Sequence, residues 1–477
     1  MGASAVSASA VTVETDDIQG IVAAGYGHLR ASSFVLLRID DSAPESAAGA
    51  RAWLARLADD VTAATGRSGD HAVNVALTHH ALLALGLPTE VAGTFSREFV
   101  GGMTIPHRSR ILGDCGESAP KGWRWGGPST PAVDVLLMLY AADAAGLEAL
   151  YRSYQQDFSA SGLVELRRLG TVDLGDVEPF NFADGISQPV VEGLSSGGRP
   201  ADTIKAGEFV LGYRNEYGLF TESPAVVDNP GPARLLSPSN GGGRDLGRNG
   251  TYLVFRELAQ DAEAFWAFLG ESTRRPDGSP DREAATKLAA KIVGRWPGGA
   301  PLVLSPDLDD PALAKANDFG YFDEDPQGLR CPLGAHIRRA NPRDSLAPRP
   351  GTQTSIDVNK RHRLIRRGRQ RARQPRGAAP GSPVATAADG LYFICLAANI
   401  ARQFEFIQAT WVNNPKFNGL SDDADPLVGT QTGRTFRIPA DPVRTRVTGL
   451  PAFVRVEAGG YFFLPGIAAI RYLAALS

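Results

Sequence analysis

Four times along the chain a short run of β-branched and aromatic residues passes straight into apolar residues at helical spacing, and this repetition restricts the fold more than any other feature. Residues 32–40, Ser-Ser-Phe-Val-Leu-Leu-Arg-Ile-Asp, predict a strand, and 44–65 a helix with Ala52, Leu54, Leu57, Ala58 and Val61 at its apolar positions. Residues 133–141, Val-Asp-Val-Leu-Leu-Met-Leu-Tyr-Ala, repeat the pattern with a helix through Leu147, Leu150 and Tyr154. After a Gly/Ser-rich break at 193–198 it restarts, as strand 251–257 with helix 259–270, then strand 391–396 with helix 399–411. Residues 73–78 form a short apolar run ahead of the Ala/Leu-rich 79–86, residues 163–169 can add a strand, and 459–466 and 468–475 read as a last strand and closing helix. Two strand–helix units in each half predict an α+β chain of two domains, each an antiparallel sheet covered by helices. The expected divisions are a disordered leader over 1–17, an N-terminal domain over 18–200 and a C-terminal domain over 201–477.

Composition limits what such a chain can do. In 477 residues, 43% hydrophobic, no apolar run reaches the roughly 18 residues that a bilayer-spanning helix needs. A net charge of −3 argues against a general nucleic-acid or anionic-membrane partner. The first residues lack a basic segment and reach Glu14, Asp16 and Asp17, unlike a secretory signal. Cys115, Cys331 and Cys395 are widely spaced with no CxxC pair, which fits a reducing cytoplasm. His79 and His80 would point about 100° apart on a helix and so cannot share a metal. Residues 360–376 hold nine Lys/Arg and no acid, either a solvated loop or a counter-charge for a bound anion such as haem propionates. Long Gly/Pro/Arg-rich connections are expected at 230–249 and 368–390.

Three stretches carry chemistry: residues 180–189, Phe-Asn-Phe-Ala-Asp-Gly-Ile-Ser-Gln-Pro; 331–343, Cys-Pro-Leu-Gly-Ala-His-Ile-Arg-Arg-Ala-Asn-Pro-Arg; and 361–368, Arg-His-Arg-Leu-Ile-Arg-Arg-Gly. They supply an imidazole at His336, an isolated carboxylate at Asp184 and a guanidinium, the set needed to cleave hydrogen peroxide on a ferric haem. A lone histidine beside apolar residues is more often a satisfied core position than a ligand, and it is the other two stretches that favour the ligand reading.

These stretches, with 17–38, 108–120, 391–416 and 461–473, resemble the haem-containing dye-decolorising peroxidases, in particular their larger bacterial and fungal members with long insertions. The family's Gly-x-x-Asp-Gly signature falls on Asn181 to Gly185, with Asn181 in place of the first glycine. The resemblance implies two ferredoxin-like domains, with haem b in the C-terminal one. It implies His336 as the axial ligand, Asp184 as the distal acid–base group, Arg366 as the distal arginine, and Leu391 and Phe393 as apolar side chains over the haem. Asp425 is the candidate hydrogen-bond acceptor for the ligand imidazole, its other reading being an ordinary loop carboxylate, and Arg343 the favoured propionate partner. The activity implied is reduction of hydrogen peroxide through an oxo-ferryl state, with dyes or phenols oxidised in one-electron steps. Because an aspartate does acid–base work best near its ordinary titration at ~4, turnover is expected to peak in acid. Two other readings remain open: a haem-handling protein without turnover, and a ferredoxin-like binding domain without a cofactor.

Overall fold

The computed structural model describes residues 12–43, 45–66, 68–195, 203–373, 388–430 and 435–477. Among them, nine strands build one antiparallel sheet: β1 (Ala31–Ile39), β2 (His71–Leu77), β3 (Val135–Ala141), β4 (Leu163–Gly170), β5 (Thr251–Gln260), β6 (Ile365–Arg366), β7 (Arg369–Ala372), β8 (Ala388–Ala397) and β9 (Val454–Leu464). Their order is β6-β8-β5-β9-β2-β3-β1-β4, with β7 also paired to β8. The halves meet where Phe463 of β9 lies opposite Leu77 of β2. β3 is buried at every position, as an apolar run covered on both faces must be.

One face carries a continuous core that includes Phe34, Leu36, Met138, Phe255, Tyr392, Ile394 and Phe462. The opposite face is treated differently in the two halves. Over β1–β3, helices Ser46–Asp60 and Ala144–Phe158 set Trp53, Leu54, Leu57 and Tyr151 against Val35, Leu37, Leu137 and Leu139. The closing helix Ile467–Ala474 packs on Ser46–Asp60 and joins the same core. Over β5, β8 and β9 the cover among the described residues is only partial, with Ile400 and Phe404 joining the same core as Val254, Cys395 and Tyr461. Helix Ala262–Ser272, capped by Asp261 accepting from Ala264 N at 2.9 Å, packs instead against Arg282–Val293, capped by Asp281. The α+β antiparallel class expected from the strand–helix pattern is the class found.

Several boundaries differ from expectation, each for a local reason. β5 runs on to Gln260 because it stays paired with β9, so the following helix starts at Ala262 rather than 259. β9 likewise begins at Val454, ahead of the expected 459. Helix Arg282–Val293 was not anticipated. The connection at 368–390 opens with β7 and closes with β8, and the expected loop between them lies outside the described residues. Of the expected leader, 1–11 also lies outside them, but Glu14 pairs with Arg248 at 2.6 Å and Asp17 accepts from Ala468 N at 2.6 Å. Residues 401–412 form π-type rather than α-type turns. The wider turn is held from outside, by Arg108 and Tyr461 on the Glu405 carboxylate and by Arg339 on the Trp411 carbonyl. No helix among the described residues is long and apolar enough to cross a membrane.

Candidate functional site

The part of that face left uncovered in the C-terminal half opens into a cavity of about 470 Å³, within the range of cofactor and small-molecule sites. Its floor is the pleat of the sheet itself, where alternate residues Leu258 of β5, Leu391 and Phe393 of β8, and Val454 and Val456 of β9 face inward. Leu391 and Phe393 thus line the cavity, while their neighbours Tyr392 and Ile394 are buried on the other side.

His336 opens helix His336–Ala340 and lines the cavity, its side chain 30% exposed. Its Nδ1 lies 2.8 Å from Oδ2 of fully buried Asp425, whose Oδ1 accepts from Leu427 N and Val428 N. Burial pushes the imidazole towards neutrality, but the charge and hydrogen bond of Asp425 outweigh it and hold its pKa above the usual value. Asp425 is held below its own, since the pull of His336 overcomes the penalty of burial. An ionised carboxylate on Nδ1 keeps a proton there and leaves the Nε2 lone pair as the donor atom. Arg339, fully buried, ties this group together by donating to the carbonyls of Gly334, Trp411, Asn414 and Asp423.

In the wall of the same cavity, residues 177–185 make a tight loop in which Ala183 bridges Val177 and Asn181 N donates to Glu178 O at 2.7 Å. Asn181 sits at φ 70°, a left-handed backbone that asparagine tolerates better than most residues, so the turn forms without the family's glycine. Asp184 is exposed to the cavity, with Oδ1 accepting from Gly185 N at 2.6 Å. Arg366 on β6 lines the same space, and its Nη2 donates to Ser187 O at 2.8 Å. Arg343 also lines it. Its guanidinium, however, donates to Asn317 O, Phe319 O and Asn317 Oδ1 and lies 3.8 Å over the Phe319 ring, so much of its donor capacity is directed at that loop.

The expected site residues His336, Asp184, Arg366, Arg343, Leu391 and Phe393 therefore share one cavity, with Asp425 directly behind His336. Two further wall residues, Glu178 and Arg295, escaped the sequence reading, and Arg363 stood in it only as part of the basic run. Glu178 is largely buried and accepts from Phe180 N, Phe182 N and Gln260 Nε2; burial raises its pKa, opposed by these donors and reinforced by the charge of Asp184. An acid six residues ahead of Asp184 in an otherwise aromatic stretch was the available signal. Arg295 is pushed down to about 10, chiefly by burial and also by the like charges of Arg343 and Arg366. Arg363 completes an arginine-rich wall suited to an anionic group. Most of the basic stretch is built into the fold rather than solvated: Arg367 donates to Ile21 O and Val22 O, Arg369 to Gly25 O and Tyr26 O, and Arg371 to Glu257 and Glu457.

An apolar floor, one imidazole nitrogen backed by a carboxylate, and a cationic wall fit a flat, metal-bearing cofactor with acidic substituents. No family model matches the chain. It is 30% identical over 440 residues to a dye-decolorizing peroxidase of Mycena epipterygia, covering 85% of this chain and 76% of that one. It is 28% identical to a multifunctional dye peroxidase of an Amycolatopsis species, covering 74% of each. The crystal structure of a fungal DyP-type peroxidase from Auricularia auricula-judae superposes with a TM-score of 0.76 at 27% identity, over 98% of this chain and all of that one.

Proposed function

This chain belongs to the dye-decolorising peroxidases, and we propose that it works as a haem b enzyme, with His336 Nε2 as the iron ligand and Asp184 and Arg366 as the groups that act on hydrogen peroxide. When bound, the haem supplies the redox centre at which peroxide is reduced and from which dyes or phenols are oxidised one electron at a time. The chain supplies the rest. Asp425 keeps the ligand imidazole oriented and electron-rich. Because Gly185 N already occupies Oδ1 of Asp184, Oδ2 is the atom free to take a proton from the near peroxide oxygen and return it to the departing one. Arg366 offsets the negative charge that develops on that departing oxygen. Arg295, Arg343 and Arg363 are the candidates to face the haem carboxylates. The acid optimum follows from using a carboxylate where proton transfer is needed. The unpaired Cys115, Cys331 and Cys395 support a reducing cytoplasm as its setting.

The observation that carries this reading is that Asp184 and Arg366 line the same cavity as His336, which is backed by Asp425. A haem-handling protein without turnover has no need of those two distal side chains. Steady-state oxidation of an anthraquinone dye by the haem-loaded chain decides between them. Peroxide-dependent bleaching that Asp184→Asn abolishes supports the peroxidase reading, and bleaching no faster than free haem contradicts it.

A further inference from the structure

Asp184 and Arg366 come from segments far apart in the chain, and catalysis by the pair requires something to set their spacing. Gln188 is placed to do so. Its Oε1 accepts from Arg366 N at 3.1 Å and its Nε2 donates to Arg366 O at 3.2 Å, across a separation of 178 residues. The carbonyl of the preceding residue, Ser187, accepts from Arg366 Nη2 at 2.8 Å. β6 stands at the end of the sheet order, paired to β8 on one side through Arg366 opposite Cys395. On its other side the peptide groups of an edge residue are ordinarily left to solvent. Here the primary amide of Gln188, whose carbonyl oxygen and one of whose N–H groups lie side by side much as in a strand neighbour, stands in for the missing strand. Between Ala183 and Val190 the loop has no regular structure. Among the described residues, the hydrogen bonds made by residues 186–189 are those to Arg366.

We propose that Gln188 is a positioning residue which pins the Asp184 loop to the backbone of Arg366, so that the distal carboxylate and guanidinium keep one relative geometry. The proposal rests on the reading that these two groups act together on peroxide. Reactions that depend on paired groups lose about 10²-fold for displacements near 1 Å, so a tether of this kind is worth rate as well as order. Arg367 Nη1 also donates to Arg366 O, at 3.0 Å, so loss of Gln188 leaves that carbonyl with one partner and the N–H with none.

The test compares the parent with Gln188→Met, which keeps length and removes both hydrogen bonds, and Gln188→Glu, whose neutral acid form restores both. Amide hydrogen exchange of the haem-free chain is read first. In Gln188→Met, the Arg366 amide should exchange at least about tenfold faster; parental protection overturns the tether. The peroxide-dependent change in the haem spectrum is read second, in the parent and in Asp184→Asn. Gln188→Met should slow it about tenfold in the parent and scarcely at all in Asp184→Asn, because the group it positions is then absent. An equal loss in both backgrounds means that Gln188 only stabilises the fold, which overturns the positioning role. Gln188→Glu should regain the parental rate as the pH falls and its acid becomes neutral; failure to do so also counts against the amide geometry. A chain that takes up no haem would sink the peroxidase reading, and the exchange result alone would then decide the tether.

Discussion

The same sheet face is closed in one half of the molecule and open in the other. Over β1–β3 the helix after each strand folds back and fills the pleat with Trp53, Leu57 and Tyr151. Over β5, β8 and β9 the helix after β5 leaves the sheet to pack on Arg282–Val293, and the residues after β8 wind as π turns that cover one end of the face through Ile400 and Phe404 and border the space at the other. A cavity thus arises from where two helices go, with the strand pattern barely changed. Apolar residues at the same pleat positions have different work in the two halves: they are core in the first and cavity floor in the second.

That contrast predicts different penalties for similar substitutions. Leu137→Ala, in the closed half, should lower unfolding free energy by ~2–5 kcal/mol in chemical denaturation, since it leaves a sealed void among fully buried neighbours. Its haem-to-protein absorbance ratio should match the parent, and a lost Soret band would show that the halves are not separable in this way. Arg366→Leu, in the open half, should leave stability close to parental yet slow the reaction with peroxide by roughly 10²-fold in stopped-flow mixing. A parental rate would remove Arg366 from the distal role. Leu258→Ala, on the cavity floor, should cost less than about 2 kcal/mol, because its side already faces open space. A cost equal to that of Leu137→Ala would mean that the floor is packed as tightly as the core.

The smallest effect expected is a pH slope. Burial raises the pKa of Glu178 above its ordinary value, so between the two values the folded chain binds more protons than the unfolded one. Its contribution to stability is therefore fully present below the ordinary value of ~4.3 and lost as pH rises through the raised one. Glu178→Gln should flatten that part of the curve when thermal midpoints are taken from pH 4 to 8. Parallel curves for the two proteins would mean that Glu178 titrates normally.

Much of this contrast was legible in the sequence, but only its local part. The runs around β1, β3, β5 and β8 announced themselves as apolar stretches of β-branched and aromatic residues, which suit a sheet buried on both faces over β1 and β3 and equally a sheet with one face turned to an apolar cavity over β5 and β8. Resemblance of three motifs pointed to His336, Asp184 and Arg366. Where the helices go depends on side chains distant in the chain, such as Arg108 reaching Glu405 across 297 residues, and no periodicity encodes that. A π turn and an α turn likewise look alike over so short an apolar run. The three hydrogen bonds that bring Ser187 and Gln188 to Arg366, and the loop that Glu178 clasps, are also products of tertiary geometry. Asp425 behind His336 spans 89 residues; the sequence offered it as the candidate acceptor but equally as an ordinary loop carboxylate, and only the fold brings the two together.

In the reading proposed for the open half, His336 is the residue that holds the haem. The absorption spectrum of haem-reconstituted protein, parent beside His336→Ala, tests this most directly. The parent should show an intense Soret band that shifts on adding one equivalent of hydrogen peroxide, and His336→Ala should still unfold cooperatively, at a lowered midpoint because Asp425 loses its partner, yet retain little haem. Unchanged haem content in His336→Ala, or a parent with no Soret band, would contradict it.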